Sequence, residues 1–208
     1  MSALFASVAF AESLLDETQK KAFKGDAVAQ HRLGKMYYDG DGVPRNYAEA
    51  VYWWRKAAEQ SDADAQFNLG LVYAIGYGGE PKSSATAVTW YSKAADQGHA
   101  NAQFNLGFMY SIGEGVPKDS AEAVKWYRKA AEQGDAAAQL FLGLMYYNGD
   151  GVLKDRVQAH MWFNIAGANG NERAKENLAI VEKEMTDTQK EKAMDLAREL
   201  FAKIPKKK

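Results

Sequence analysis

The sequence repeats itself four times. Leu33-Gly34, Leu69-Gly70, Leu106-Gly107 and Leu142-Gly143 are spaced by 36, 37 and 36 residues. A period of that length marks stacked supersecondary units rather than one layered domain. Ala-Gln precedes each pair (Ala29-Gln30, Ala65-Gln66, Ala102-Gln103, Ala138-Gln139), and Tyr37, Tyr73, Tyr110 and Tyr146 follow at one offset. A tryptophan recurs in the second half of every unit, at Trp53, Trp90, Trp126 and Trp162, flanked by small residues. The one extra residue falls in Gly76-Tyr77-Gly78-Gly79-Glu80-Pro81, a loop, where an insertion costs least.

Within a unit the apolar spacing is helical. Ala65, Leu69, Val72 and Tyr73 stand at i, i+4, i+7 and i+8, and Ala87, Val88, Tyr91, Ala94 and Ala95 follow the same rule. Between the two helices lies Gly-x-Gly-Val, as in Gly40-Asp41-Gly42-Val43. Its first glycine suits a left-handed helix end, and Pro44 and Pro117 block continuation. Asn46, Ser83, Asp119 and Asp155 occupy equivalent places and predict the N-caps of the second helices. One helix pair cannot bury its apolar face alone, so the units must stack. The shared Gly would let a neighbouring helix come close, with Leu filling the gap and Trp as the large plug of the second helix.

The ends depart from the pattern. Lys20-Lys21-Ala22-Phe23-Lys24-Gly25-Asp26 resembles the end of a second helix, so residues 12–25 read as an N-terminal capping half-repeat and 26–170 as four repeats. Residues 171–208 read as C-terminal capping helices and a basic tail. Thr186-Asp187-Thr188-Gln189 is a capping box for a last helix that would seal the stack with Ala193, Leu196, Ala197, Leu200 and Phe201. Residues 1–11 hold the apolar run Leu4–Ala11 ending Ala9-Phe10-Ala11, an A-x-A cleavage pattern without a basic n-region. They are expected to be a signal-peptide remnant, which would place the chain in the periplasm or outside the cell.

Over residues 20–180 these motifs resemble the Sel-one-like repeat family, a relative of the tetratricopeptide repeats. The family pattern runs A-x-x-x-L-G-x-x-Y, G-x-G-V-x-x-D, then A-x-x-W-[YF]-x-x-A-A-x-x-G. Two departures are mild: Gly79 stands where Val is usual, and the fourth unit carries Met161-Trp162-Phe163-Asn164-Ile165-Ala166-Gly167. The resemblance implies an all-α, right-handed superhelical solenoid of antiparallel helix pairs, and an adaptor or scaffold role through protein contacts. Cysteine-rich relatives are linked to penicillin binding or hydrolysis, but this chain lacks their disulfide-paired repeats and that activity is not carried over.

Other functions find little support in the residues. The 26 basic and 27 acidic side chains nearly cancel, so the basic excess of a nucleic-acid binder is missing. Lys203, Lys206, Lys207 and Lys208 read as a solvated end. No cysteine occurs, which excludes thiolate metal sites, iron–sulfur clusters and Cys nucleophiles. His31, His99 and His160 share no pair spacing and read as surface or half-buried side chains; no metal or cofactor site is expected from them. The Gly-Asp-Gly turns lack the further ligands of a calcium loop. No G-x-S-x-G, H-E-x-x-H or Walker motif is present, and no apolar run is long enough to span a bilayer.

Binding is expected at positions that vary between units. By tetratricopeptide analogy the first helices line a concave groove, two residues before, two after and five after each Leu. Those positions hold His31, Lys35 and Tyr38; Phe67, Leu71 and Ala74; Phe104, Phe108 and Ser111; Leu140, Leu144 and Tyr147. Phe67, Leu71, Phe104, Phe108, Leu140 and Leu144 form an apolar stripe off the core face, with Lys35, Tyr38 and Tyr147 beside it. Two readings stay open: a groove for a peptide or protein segment, or packing between first helices. The expected function is a protein-interaction scaffold. A self-associating structural protein and an envelope hydrolase acting on peptidoglycan or β-lactams are the competing readings.

Overall fold

The computed structural model describes residues 14–204. The run at 1–11 and Lys206 to Lys208 lie outside the described residues. Every regular element among those described is a helix, giving an all-α helical repeat fold. A first helix, α1, covers 14–23. Four pairs follow: α2 (Ala27–Asp39) with α3 (Tyr47–Glu59), α4 (Ala63–Ile75) with α5 (Ser84–Asp96), α6 (Ala100–Ile112) with α7 (Ser120–Glu132), and α8 (Ala136–Asn148) with α9 (Arg156–Ala168). Then come α10 (Glu172–Glu182) and α11 (Asp187–Phe201). The chain divides at Gln97/Gly98 into two compact units, one holding α1 to α5 and the other α6 to α11.

The helix boundaries have local causes. Asn46, Ser83, Asp119 and Asp155 cap the second helices as expected, each accepting an N–H of the first turn. Asp26, Asp62, His99 and Asp135 do the same for the first helices, a set of caps that the repeat pattern carries and sequence reading passed over. First helices end at Gly40, Gly76, Gly113 and Gly149, all left-handed, whose N–H groups return to the last-turn carbonyls. Each turn is then tied back. The N–H groups of Asn46 and Ser83 donate to the Tyr37 and Tyr73 carbonyls at 2.9 and 2.8 Å, and those of Asp119 and Asp155 to Tyr110 and Tyr146 at 3.0 and 2.9 Å.

Packing assigns the repeated residues their work. Leu33, Leu69, Leu106 and Leu142 are wholly buried. The ring that lies on each shared glycine is the aromatic after the tryptophan: Trp54 on Gly34, Tyr91 on Gly70, Tyr127 on Gly107 and Phe163 on Gly143. Trp53, Trp126 and Trp162 are buried as the expected plugs of their helices, while Trp90 is only half-buried, and the contact with the glycine falls to the next residue. Buried glutamines tie successive helices. In the first unit Gln30 and Gln66 donate to the Ala22 and Ala58 carbonyls, both at 3.1 Å, and accept from Gln60 at 2.7 Å and Gln97 at 2.8 Å. In the second, Gln139 donates to the Ala131 carbonyl at 2.9 Å and accepts from Asn169 at 2.9 Å. Burying an amide is tolerated because its donors and acceptors are satisfied.

The ends are capped unequally. In the first unit Phe23 stays exposed, edge-on to Trp53 at 5.1 Å. In the second, α10 and α11 both pack on α9, and the capping box at Thr186 and Gln189 forms as expected. Ala193 and Ala197 are buried and Leu196 and Leu200 partly so, while Phe201 remains exposed.

Candidate functional site

In the first unit the stripe positions differ in kind. Lys35 is exposed and bonds Asp39 at 2.5 Å, one helical turn on. Tyr38, 41% exposed, joins an aromatic cluster whose ring centroids lie 5.4 Å from Tyr47, 5.5 Å from Trp54 and 6.0 Å from Tyr77. Burial pushes the Tyr77 hydroxyl well above its ordinary titration range. Phe67 is half-buried with its ring 6.0 Å from Tyr91, and Leu71 is half-buried beside it on α4. His31 and Asn68 meet at 3.2 Å between His31 Nε2 and the Asn68 side-chain amide.

The second unit gathers its aromatics more tightly. Phe104 lies 5.7 Å from both Tyr127 and Phe141, and Phe141 stacks on Tyr127 at 5.4 Å and 21°. Phe108 stands edge-on to Phe141 at 6.3 Å and is 38% exposed, against 1% or less for Leu106 and Leu142. Next to this cluster a cleft of about 250 Å³ opens between Ser111, Lys118, Tyr127, Phe141, Leu144 and Asn148. The buried Tyr127 hydroxyl is pushed up to about 12 by burial, a little offset by its bond to Ser111 Oγ at 3.4 Å. It stays a neutral hydroxyl at any physiological pH. Phe141 belongs to this face although the stripe rule omits it. Its counterparts are Arg32, Asn68 and Asn105, so a position that turns aromatic in one unit alone was the available signal.

The fourth repeat corrects the stripe. Leu140 is only 6% exposed and sits in a core cluster with Phe163, Ala174, Val181 and Ala193. The cap formed by α10 and α11 supplies that cover, so Leu140 is a core residue and lines no groove. Leu144 and Tyr147 are half-buried against the same cluster, and the Tyr147 hydroxyl donates to Glu184 Oε1 at 2.7 Å. Arg156 Nε donates to the other oxygen of Glu184 at 2.8 Å. These two bonds, Tyr147 first, hold the Glu184 carboxyl below its usual range.

Two histidines have structural work. His99 caps α6, its Nδ1 accepting the Ala102 N–H at 3.2 Å. His160 is 1% exposed, contrary to the expected surface or half-buried place, with Nε2 at 3.2 Å from Glu182 Oε1. Burial lowers its pKa, and Glu182 opposes that only in part.

The comparisons follow this geometry. The Sel1 repeat model matches residues 27–62, 63–99, 100–135 and 136–171, each span opening at the first residue of a first helix. The chain belongs to the Sel1 repeat family. The crystal structure of a Sel1 repeat protein from Oxalobacter formigenes is similar at a TM-score of 0.78 and 33% identity, over 99% of this chain and 84% of that one. Cysteine-rich protein B of Helicobacter pylori is similar at a TM-score of 0.50 and 30% identity, over 62% of this chain and 92% of its own. An Arabidopsis thaliana protein named as ERAD-associated E3 ubiquitin-protein ligase component HRD3B is 43% identical over 60 residues, which is 28% of this chain and 9% of that protein. Sel1 repeats are protein-interaction scaffolds, and this Sel1 chain is one. No helix among the described residues is long and apolar enough to cross a membrane.

Proposed function

We propose that the second unit binds a segment of a partner protein through Phe104, Phe108, Phe141 and Leu144, with an apolar side chain of the partner entering the adjacent cleft. The observation that carries this is Phe108, a large aromatic left 38% exposed on a cluster of three further rings while the repeat leucines beside it are sealed. Aromatics grouped around a pocket and rimmed by Ser111, Lys118 and Asn148 have the make-up of an interface hot spot. In the first unit Tyr38 on α2 and Tyr47 on α3 offer a second amphipathic surface, with Lys35 on α2 and Phe67 and Leu71 on α4. The similarity to a ubiquitin-ligase component supports work as part of a larger assembly. Phe104, Phe108, Phe141 and Leu144 offer apolar contact area rather than acid, base or nucleophile, which favours binding over hydrolysis. A periplasmic or secreted location rests on Ala9-Phe10-Ala11, and chain isolated from its host is then expected to begin at Glu12.

A photo-crosslinking amino acid placed at position 108, and separately at exposed Lys125 on α7, tests the assignment in native extract. The reading predicts a discrete adduct from position 108 alone. Equal labelling from both positions, or labelling only of a second copy of the chain, would overturn it; the latter would establish self-association instead.

A further inference from the structure

Stacking brings His31 to two carboxylates, Asp62 and Asp64, that lie about one repeat further along the chain. His31 on α2, Asp62 at the N-cap of α4 and Asp64 in its first turn each present a ligand atom, and the three atoms lie within 4.8 Å of one another. The fold explains Asp62, whose Oδ1 accepts the Ala65 N–H at 2.8 Å as other repeat caps do. His31 and Asp64 are particular to this junction. The place of His31 is taken by Phe67, Phe104 and Leu140 in the remaining units, and that of Asp64 by Val28, Asn101 and Ala137. Two polar residues have therefore replaced apolar or neutral ones beside a cap carboxylate that Asp26 and Asp135 also supply in their repeats. Asn68, one turn beyond Asp64 on α4, sets its side-chain amide 3.2 Å from His31 Nε2. Turned so that its oxygen accepts the Nε2–H, that amide acts as the outer partner of a ligating histidine and leaves the Nδ1 lone pair for a metal.

We propose that His31, Asp62 and Asp64 form a site for a divalent transition cation that ties the first repeat to the second. One imidazole with two carboxylates suits borderline ions such as Zn²⁺. Calcium and magnesium prefer all-oxygen shells, so the histidine selects against them. Asp62 serves as cap and ligand together, since a carboxylate has lone pairs beyond the one given to Ala65. Three protein ligands leave a coordination position open to water or to a donor from another molecule.

Calorimetric titration of the full chain, without any histidine tag, with Zn²⁺ and separately with Mg²⁺ tests this. One Zn²⁺ should bind per chain, Mg²⁺ should not compete, and unfolding should shift to higher temperature with Zn²⁺. Affinity should fall about tenfold or more in His31→Phe, which restores the residue type of the next two repeats, and likewise in Asp64→Asn. Asp62→Asn keeps a good N-cap, so its loss of affinity reports ligation rather than unfolding. Circular dichroism confirms that each variant is folded. No uptake by the parent chain overturns the proposal, as does uptake unchanged in His31→Phe and Asp64→Asn, or uptake lost with His99→Gln in their place.

Discussion

The four shared glycines offer a graded test of the packing. All lie inside first helices, where alanine would ordinarily stabilise by about 0.8–1.0 kcal/mol. What differs is the ring above. A Cβ built on Gly107 would stand 3.0 Å from Tyr127 Cδ1 and 3.3 Å from the Ala123 carbonyl oxygen, so the ring need yield only slightly. On Gly143 it would be 2.6 Å from two Phe163 carbons, on Gly34 2.5 Å from Trp54 Cδ1, and on Gly70 nearer still to the Tyr91 ring. Unstrained carbon contacts need about 3.5–4.0 Å, and overpacking of this kind costs about 1–3 kcal/mol. Setting that against the helix gain, Gly107→Ala should lie within about 0.5 kcal/mol of the parent, and Gly70→Ala should be destabilised by about 1–2 kcal/mol. Urea unfolding followed by circular dichroism reads this as a fall in midpoint at constant slope. Thermal midpoints should drop by about 2–4 °C per kcal/mol. Pairing Gly70→Ala with Tyr91→Ala should recover part of the loss, because the clashing ring is gone. A stabilised Gly70→Ala, or no coupling to Tyr91, would refute the claim that ring contact dictates glycine here.

Four further outcomes follow from the same contacts. Gln66→Leu should cost about 1–3 kcal/mol in denaturant unfolding, because the Ala58 carbonyl and the Gln97 amide each lose a partner. Ser61 holds φ at 67°, where the corresponding residues Gly25, Gly98, Gly134 and Gly170 are glycines, so Ser61→Gly should stabilise by about 0.5–1 kcal/mol. Because burial depresses the His160 pKa, the unfolded chain binds that proton first; stability should fall as pH drops below about 6.5, and His160→Gln should flatten the profile. Phe108→Ala should cost only about 1–2 kcal/mol and abolish crosslinking from a probe placed at Phe104, whereas Leu140→Ala should cost about 2–5 kcal/mol with no special effect on binding.

The parts of the fold legible in the sequence are those fixed within a few residues. Caps at Asn46, Ser83, Asp119 and Asp155 and the left-handed Gly40, Gly113 and Gly149 depend on local backbone alone, and so does the box at Thr186 and Gln189. Burial at the stripe depends on what lies next door. Leu140 and Leu144 satisfy the same offset rule as Phe104 and Phe108, yet α10 and α11 cover the first of them, and nothing near Leu140 in sequence foretells that. The polar junctions were missed for a related reason, with a remedy. Gln30 bonds Gln60, Gln66 bonds Gln97, Gln103 bonds Gln133 and Gln139 bonds Asn169, at separations of 30 or 31 residues, and His31 meets Asn68 at 37. In a stack each pair touches only its neighbours, so side-chain partners recur at separations a little under or near one period. Spacing among the three histidines carries no signal of this junction. Read at the distance of one repeat, His31 falls opposite Asp62, Asp64 and Asn68, and the period that reveals the fold also names the side chains that meet across it.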